Sequence, residues 1–233
     1  MKSLARTTLT VAGILVAAGL EASPLPGFHL AAQSENFLFY TRDSRKVDAA
    51  RSQRFLAGTA RLLEVEVQGK AAYYVHQHPE EVASTTGVYG SGVTDLKTGE
   101  INAVSAFHRH EIVHRVAGAL GDPGRFFQEG LAVALGDEGR WNGVEVDKLA
   151  ARARRDPKAR NAVEDFSRLE PNTAYPVAGS FVGFLLRTYG ARRVSDFFRD
   201  CRPATQERDR RFRDVFGLTV DQAWATWSDT LPG

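Results

Sequence analysis

The chain has 233 residues, of which 43% are hydrophobic and 25% are charged, and these fractions are typical of a soluble globular protein. Its formal net charge is only +2, so charge gives no strong indication of binding to nucleic acid or to a membrane surface. The single cysteine, Cys201, excludes an intramolecular disulfide bond, and the fold must therefore depend on its hydrophobic core.

The first 22 residues are predicted to be a secretory signal peptide. Lys2 and Arg6 form a short basic region, residues 7–20 are uncharged and largely apolar, and small residues near Ala22 offer a cleavage site. The apolar run is short for a transmembrane helix, and an uncleaved N-terminal anchor is the alternative. We expect an exported protein, secreted or periplasmic, whose remaining residues 23–233 form a single domain with lobes at about 23–120 and 121–233.

Residues 23–106 are predicted to mix strands and helices. Aromatic and β-branched residues favour strands at 36–41, 71–77 and 101–106, and the apolar spacing over 47–64 favours an amphipathic helix. Residues 79–84 are expected to form a helical turn, and the glycines at 87, 90 and 92 indicate a loop. The strand at 101–106 leads directly into the segment that carries the main motif.

Residues 107–120 lack proline and are predicted to form a helix containing the sequence His-Glu-Ile-Val-His. His110 and His114 are four residues apart, so both side chains lie on one helical face and can reach one metal ion. Two histidines and a carboxylate would leave a fourth position for water, as in catalytic zinc sites. Glu111 would lie beside the metal and take a proton from that water, which is the chemistry of amide hydrolysis.

Glu129 is the candidate third ligand. Gly121 is expected to end the first helix, with Asp122 as the N-cap and Pro123 as the first residue of a second helix that carries Glu129. Because two helices joined by a tight turn can bring a carboxylate against a histidine pair, the arrangement suits His110, His114 and Glu129 as ligands of the same ion.

These motifs resemble those of the thermolysin-like gluzincins, and especially of the small secreted peptidase-MA-like zinc metallopeptidases. In that group the second helix has the pattern aromatic-x-Glu-Gly-x-Ala, which residues 127–132 match. The metzincin pattern fails, since Ala117 and Leu120 stand where it needs glycine and histidine. The resemblance implies one Zn²⁺ ion held by His110, His114 and Glu129.

The resemblance also implies the fold and further roles. The expected fold is α+β and zincin-like: an N-terminal mixed α/β lobe with a small sheet, a mainly helical C-terminal lobe, and the active-site helix between them. Glu111 would be the general base. The cleft-edge strand of gluzincins pairs with an extended peptide, a role expected for residues 101–106, and the alternative is a buried strand without contact to substrate.

Beyond Glu129 the chain is predicted to be mainly helical, with a helix at about 144–155 and a solvated polar face at 151–160. Residues 175–190 resemble the downstream helix of the family, in which a tyrosine or histidine donates a hydrogen bond to the oxyanion. Tyr175 is therefore a candidate catalytic residue, with a packing role as the alternative. Trp224 and Trp227 are expected to close the core, and the histidines outside the motif to be ordinary polar positions.

The sequence thus predicts an exported zinc metallopeptidase that acts on peptide or protein substrates, with no nucleic-acid partner and no stable membrane association beyond the possible N-terminal anchor. One alternative is a zinc amidohydrolase that acts on a non-protein or cell-wall amide, with the same site residues. The other is a zinc-bound scaffold without turnover, which has no need of Glu111.

Overall fold

The computed structural model describes residues 25–154 and 156–233, so the predicted signal peptide lies outside the described residues. Seven strands are present among them: β1 His29–Gln33, β2 Phe37–Thr41, β3 Ala71–Val75, β4 Gly92–Thr94, β5 Ile101–Ala103, β6 Arg140–Trp141 and β7 Val144–Glu145. The α-helices are α1 Ala49–Leu62, α2 Pro79–Thr86, α3 Arg109–Gly118, α4 Arg125–Leu131, α5 Val146–Ala153, α6 Pro157–Asn161, α7 Pro171–Tyr189, α8 Ala191–Phe198, α9 Thr205–Phe216 and α10 Val220–Thr230. The predicted α+β class is confirmed.

The main sheet has the order β1-β2-β3-β5-β4. Strands β2, β3 and β5 run parallel, while β1 and β4 pair antiparallel to their neighbours and form the two edges. Every residue of β2, β3 and β5 is buried. Helices cover one face of the sheet, and on the other face Leu25 and Phe28 pack with strand side chains such as Tyr74 in a smaller apolar cluster.

The expectation that residues 101–106 form the cleft-edge strand is wrong. The strand β5 ends at Ala103 and lies between β3 and β4, so its backbone groups are paired with neighbours on both sides. The alternative of a buried strand is confirmed. The sheet edge on this side is β4, a strand in the segment whose glycines predict a loop.

Two of the predicted helix ends differ in the structure. Helix α4 begins at Arg125 with Gly124 at its N-cap, and the Asp122 carboxylate accepts a hydrogen bond from the Gly124 amide at 2.9 Å instead of capping the helix. Gly121, which was expected as a helix C-cap, has a φ of 153° and touches the Phe198 carbonyl, where a Cβ atom would lie 2.3 Å from that oxygen. The turn is therefore shaped by close backbone packing on α8.

One cluster of buried residues extends from β2 to α10. Helices α1 and α3 pack against the sheet. The 19-residue helix α7 packs against α4 and α5. Trp224 and Trp227 belong to this cluster and are 8% and 0% exposed, which confirms their predicted place in the core. Among the helices in the described part of the chain, none has both the length and the apolar character that crossing a membrane requires.

Close approach of α4 and α7 depends on Gly130. A Cβ atom at this position would lie 2.6 Å from the carbonyl oxygen of Ala178 and 2.5 Å from a methyl carbon of Val182, both on α7. Because glycine has no Cβ atom, the two helix backbones can come together here. The neighbouring residue, Glu129, is thereby held at a fixed height beside α3.

Candidate metal centre

The helix α3 presents His110 and His114 toward Glu129, which lies in the second half of α4. The Nε2 atoms of both histidines are 3.2 Å from Oε2 of Glu129, and the two imidazole ring centroids are 4.9 Å apart. The side chains are only 10%, 10% and 13% exposed. The structure therefore brings together the three residues that the sequence proposes as ligands.

The spacing of these atoms fits a tetrahedral metal site. With Zn–N and Zn–O bonds of about 2.0–2.1 Å, two ligand atoms of a regular tetrahedron lie about 3.3 Å apart, close to the distances between the histidines and Glu129. Within the described residues, this is the one group of three or more His, Cys, Asp or Glu side chains that converges in this way. Imidazole and carboxylate together are ligands that suit Zn²⁺.

The ionisation of the cluster is strongly perturbed. Burial acts to lower the pKa of His110, but hydrogen bonds to Asp137 and Glu129 outweigh it and raise that pKa to about 10. Burial acts to raise the pKa of Glu129, yet its contacts with His110 and His114 hold it well below the usual range. A buried group of opposite charges in a cleft is typical of functional sites.

Asp137, which no sequence motif indicates, orients His110. The α4 helix continues into a π-helical turn, Ala132–Gly136, closed by the bond from the Asp137 amide to the Ala132 carbonyl at 3.2 Å. This turn places Oδ2 of Asp137 2.7 Å from Nδ1 of His110. A carboxylate on Nδ1 fixes the ring orientation and leaves Nε2 to face Glu129.

Glu111 is 5% exposed and lies between α3 and β4, one residue from the first histidine. The hydroxyl of Thr94 on β4 donates to its Oε2 atom at 2.8 Å. The carboxylate thus lines the same cleft as the three candidate ligands without converging with them. Its role as a general base stays a prediction.

Tyr175, on the first turns of α7, is half-buried and its ring centroid lies 6.2 Å from that of His110. The indole of Trp141 stacks on it, and Phe166 packs edge-on at 5.2 Å. Burial and the Glu129 carboxylate raise the pKa of Tyr175, while the Arg125 guanidinium opposes this change. The phenol is therefore protonated at neutral pH and can donate a hydrogen bond.

The cleft around these residues has a volume of about 1100 Å³. One wall is β4 with the preceding loop, where Tyr89 is 71% exposed, and the other is the β6–β7 hairpin with the start of α7. His108, expected to be an ordinary polar position, also lines the cleft and its Nε2 is 3.1 Å from Oγ of Ser91. Burial lowers the pKa of His108.

Comparison of the chain with protein-family models, with curated proteins and with solved structures gave no match.

Proposed function

We propose that the chain is a zinc-dependent peptidase of the gluzincin type, with a zincin-like fold. The observation that carries this proposal is the convergence of His110, His114 and Glu129 beside a separate carboxylate, Glu111, in one open cleft. A scaffold needs only the three ligands. The additional buried carboxylate favours a hydrolase, because hydrolysis needs a group that moves a proton.

His110, His114 and Glu129 would hold the Zn²⁺ ion, and Asp137 would keep the His110 ring in place. When bound, the ion would supply a Lewis acid that polarises the substrate carbonyl and lowers the pKa of water. The second oxygen of Glu129, Oε1, lies 3.3 Å from Nε of Arg125, which leaves Oε2 as the oxygen nearest both histidines.

In the proposed reaction Glu111 accepts a proton from the attacking water and later gives it to the leaving amine nitrogen. Tyr175 donates a hydrogen bond from its phenol to the oxyanion of the tetrahedral intermediate and keeps its proton. An extended peptide would pair with the free edge of β4, whose three residues line the cleft, so that the scissile carbonyl lies between Glu111 and Tyr175. The substrate is a peptide or protein, and export through residues 1–22 stays a prediction.

The test is metal analysis of the purified residues 23–233 together with digestion of a mixed-peptide library. The native chain should contain one zinc ion per molecule and cleave peptides, whereas Glu111→Gln should keep the zinc and lose cleavage. Glu129→Ala should lose the zinc. Glu138→Gln, which removes an exposed carboxylate that pairs with Arg109, is the matched control and should keep both.

The other outcomes are equally informative. Zinc without peptide cleavage in the native chain would contradict the peptidase and favour hydrolysis of a non-protein amide, to be tested with cell-wall peptides, or a non-catalytic scaffold. Full zinc content in Glu129→Ala would contradict the ligand assignment. A native chain that binds no zinc would contradict the proposal entirely.

A further inference from the structure

We infer that Thr94 is a positioning residue that holds the general base Glu111 against strand β4. This inference rests on the proposed function and adds to it a residue outside the zinc motif. It depends on contacts between β4 and α3, two elements that are separated by β5 in the chain but pack side by side in the fold.

The hydroxyl of Thr94 contacts both ends of the same residue. Its Oγ1 atom lies 2.8 Å from the carboxylate oxygen Oε2 of Glu111 and 3.1 Å from the main-chain carbonyl oxygen of Glu111. Because one hydroxyl lies within hydrogen-bond distance of both oxygens, it fixes the direction of the Glu111 side chain relative to the backbone of α3. Hydrogen bonds to a charged carboxylate are shorter and stronger than neutral ones, and the 2.8 Å contact is the shorter of the two.

Gly92 provides the second contact from the same strand. A Cβ atom at Gly92 would lie 2.6 Å from Cγ and 2.8 Å from Oε1 of Glu111. Residues two apart in a strand lie on the same face, so Gly92 and Thr94 both face Glu111. The carboxylate is therefore packed on one side by a backbone without a side chain and bound on the other by a hydroxyl.

This arrangement gives the two carboxylate oxygens different roles. Oε2 accepts the hydrogen bond from Thr94, so Oε1, which packs against the Gly92 backbone, is left as the oxygen that takes the proton of the attacking water. Loss of the hydroxyl would allow Glu111 to rotate away from the reacting atoms. Misplacement of a catalytic group by about 1 Å can lower a rate by about a hundredfold.

The strand that positions the base is also the strand proposed to pair with the substrate. It is the last strand of the sheet, its three residues line the cleft, and Gly92 and Thr94 contact Glu111. A peptide bound along β4 would thus be held in a fixed relation to the base. Because the Thr94 hydroxyl contacts the base and not the substrate, its loss should change the rate of the chemical step more than it changes substrate binding.

The experiment compares Thr94→Val, which has the same shape but no hydroxyl, with Thr94→Ala, Thr94→Ser and the native chain. Thr85→Val is the matched control, because the Thr85 hydroxyl on α2 binds only a helix carbonyl, that of Glu81. For each folded variant the kcat, the KM and the zinc content are measured. The Cδ resonance of Glu111 is followed in protein that contains carbon-13 in its glutamate carboxylates, and Glu111→Gln identifies that resonance.

We expect Thr94→Val and Thr94→Ala to lower kcat by about ten- to a hundredfold with KM changed less than about twofold and full zinc content. Their Glu111 resonance should move, whereas Thr94→Ser should restore both kcat and the resonance and Thr85→Val should alter neither. A native chain that hydrolyses peptides beside a Thr94→Val variant with normal kcat, or with an unmoved resonance, would overturn this inference alone. A native chain without hydrolysis would overturn the proposed function and this inference with it.

Discussion

The indole ring of Trp141 lies flat on the phenol ring of Tyr175, with the two centroids 4.5 Å apart and the planes inclined by 11°. Trp141 comes from the β6–β7 hairpin, and its Nε1 atom donates to Oδ1 of Asn172 at 3.1 Å. The hairpin thus holds the Tyr175 ring in place beside the candidate metal centre. Stacking of this kind contributes about 0.5–1.5 kcal/mol beyond burial of area.

Replacing Trp141 with alanine should lower kcat by about tenfold, because Tyr175 would lose the ring that fixes its direction. Tyr175→Phe should lower kcat by roughly ten- to a thousandfold, since it removes the donor itself. In the double variant, Trp141→Ala should add little to the loss caused by Tyr175→Phe. The three kcat values are the measurement, and fully additive losses would show that Trp141 does not act through Tyr175.

Replacing Asp137 with alanine should weaken zinc binding by about ten- to a hundredfold, because His110 would lose the partner of its Nδ1 atom. The affinity is measured by competition with a chelator of known strength. The neighbouring Glu138→Gln variant keeps Asp137 and should bind zinc within about twofold of the native chain. Equal weakening in both variants would point to general damage to the π-helical turn.

The three candidate ligands could be predicted from the sequence because their geometry is local. His110 and His114 are one helical turn apart, and Glu129 is separated from them by a single tight turn. The four-residue spacing places both histidines on one helical face, and the short connection between α3 and α4 keeps Glu129 within reach of that face. The helix ends were less predictable, since α4 begins at Arg125 and not at Pro123 as expected.

Asp137 could not be predicted, because its position depends on a break in helical periodicity. In a continuous α-helix a residue eight positions after Glu129 would point about 80° away from it around the axis. The π-helical turn has five residues per hydrogen-bonded step instead of four, and this extra residue changes the direction in which Asp137 points. No spacing of apolar residues at 131–136 indicates where such a turn occurs.

Thr94 and strand β4 were missed for a different reason. The strand has only three residues in a glycine-rich segment, too few to show an alternating pattern, and it exists because β5 pairs with it. The β6–β7 hairpin, in contrast, carries a readable signal. Asn142 and Gly143 both have positive φ values, 49° and 79°, and Asn-Gly is the preferred pair for such a two-residue turn.

Two glycine substitutions should change stability in opposite directions. Gly130→Ala would press a methyl group against the Ala178 carbonyl and should destabilise the fold by about 1–3 kcal/mol. Gly58→Ala, inside α1 with no heavy atom within 4 Å of its added methyl, should stabilise it by about 0.5–1 kcal/mol. Urea unfolding measures both, and a Gly130→Ala variant as stable as the native chain would contradict the packing described for α4 and α7.

The stability of the C-terminal helices should depend on acid through Glu164. The Nη2 atom of Arg208 lies 2.7 Å and 2.8 Å from the two Glu164 carboxylate oxygens, and the Arg208 side chain is only 3% exposed. Burial acts to raise the pKa of Glu164, but its contacts with Arg208 outweigh burial and lower it from 4.5. The stabilisation is therefore fully present above pH 4.5 and is lost as the pH falls through the lower pKa of the folded protein.

Glu164→Gln should accordingly reduce the free energy of unfolding at pH 7, since it leaves the Arg208 guanidinium with weaker partners, and the difference from the native chain should shrink toward pH 3. Urea unfolding of both proteins across this range measures the difference. Asp214→Asn, which removes an exposed carboxylate from the same helix as Arg208, should change the free energy of unfolding by less than about 0.5 kcal/mol. A Glu164→Gln deficit of constant size from pH 7 to pH 3 would contradict an electrostatic contact and indicate that the substitution acts through packing.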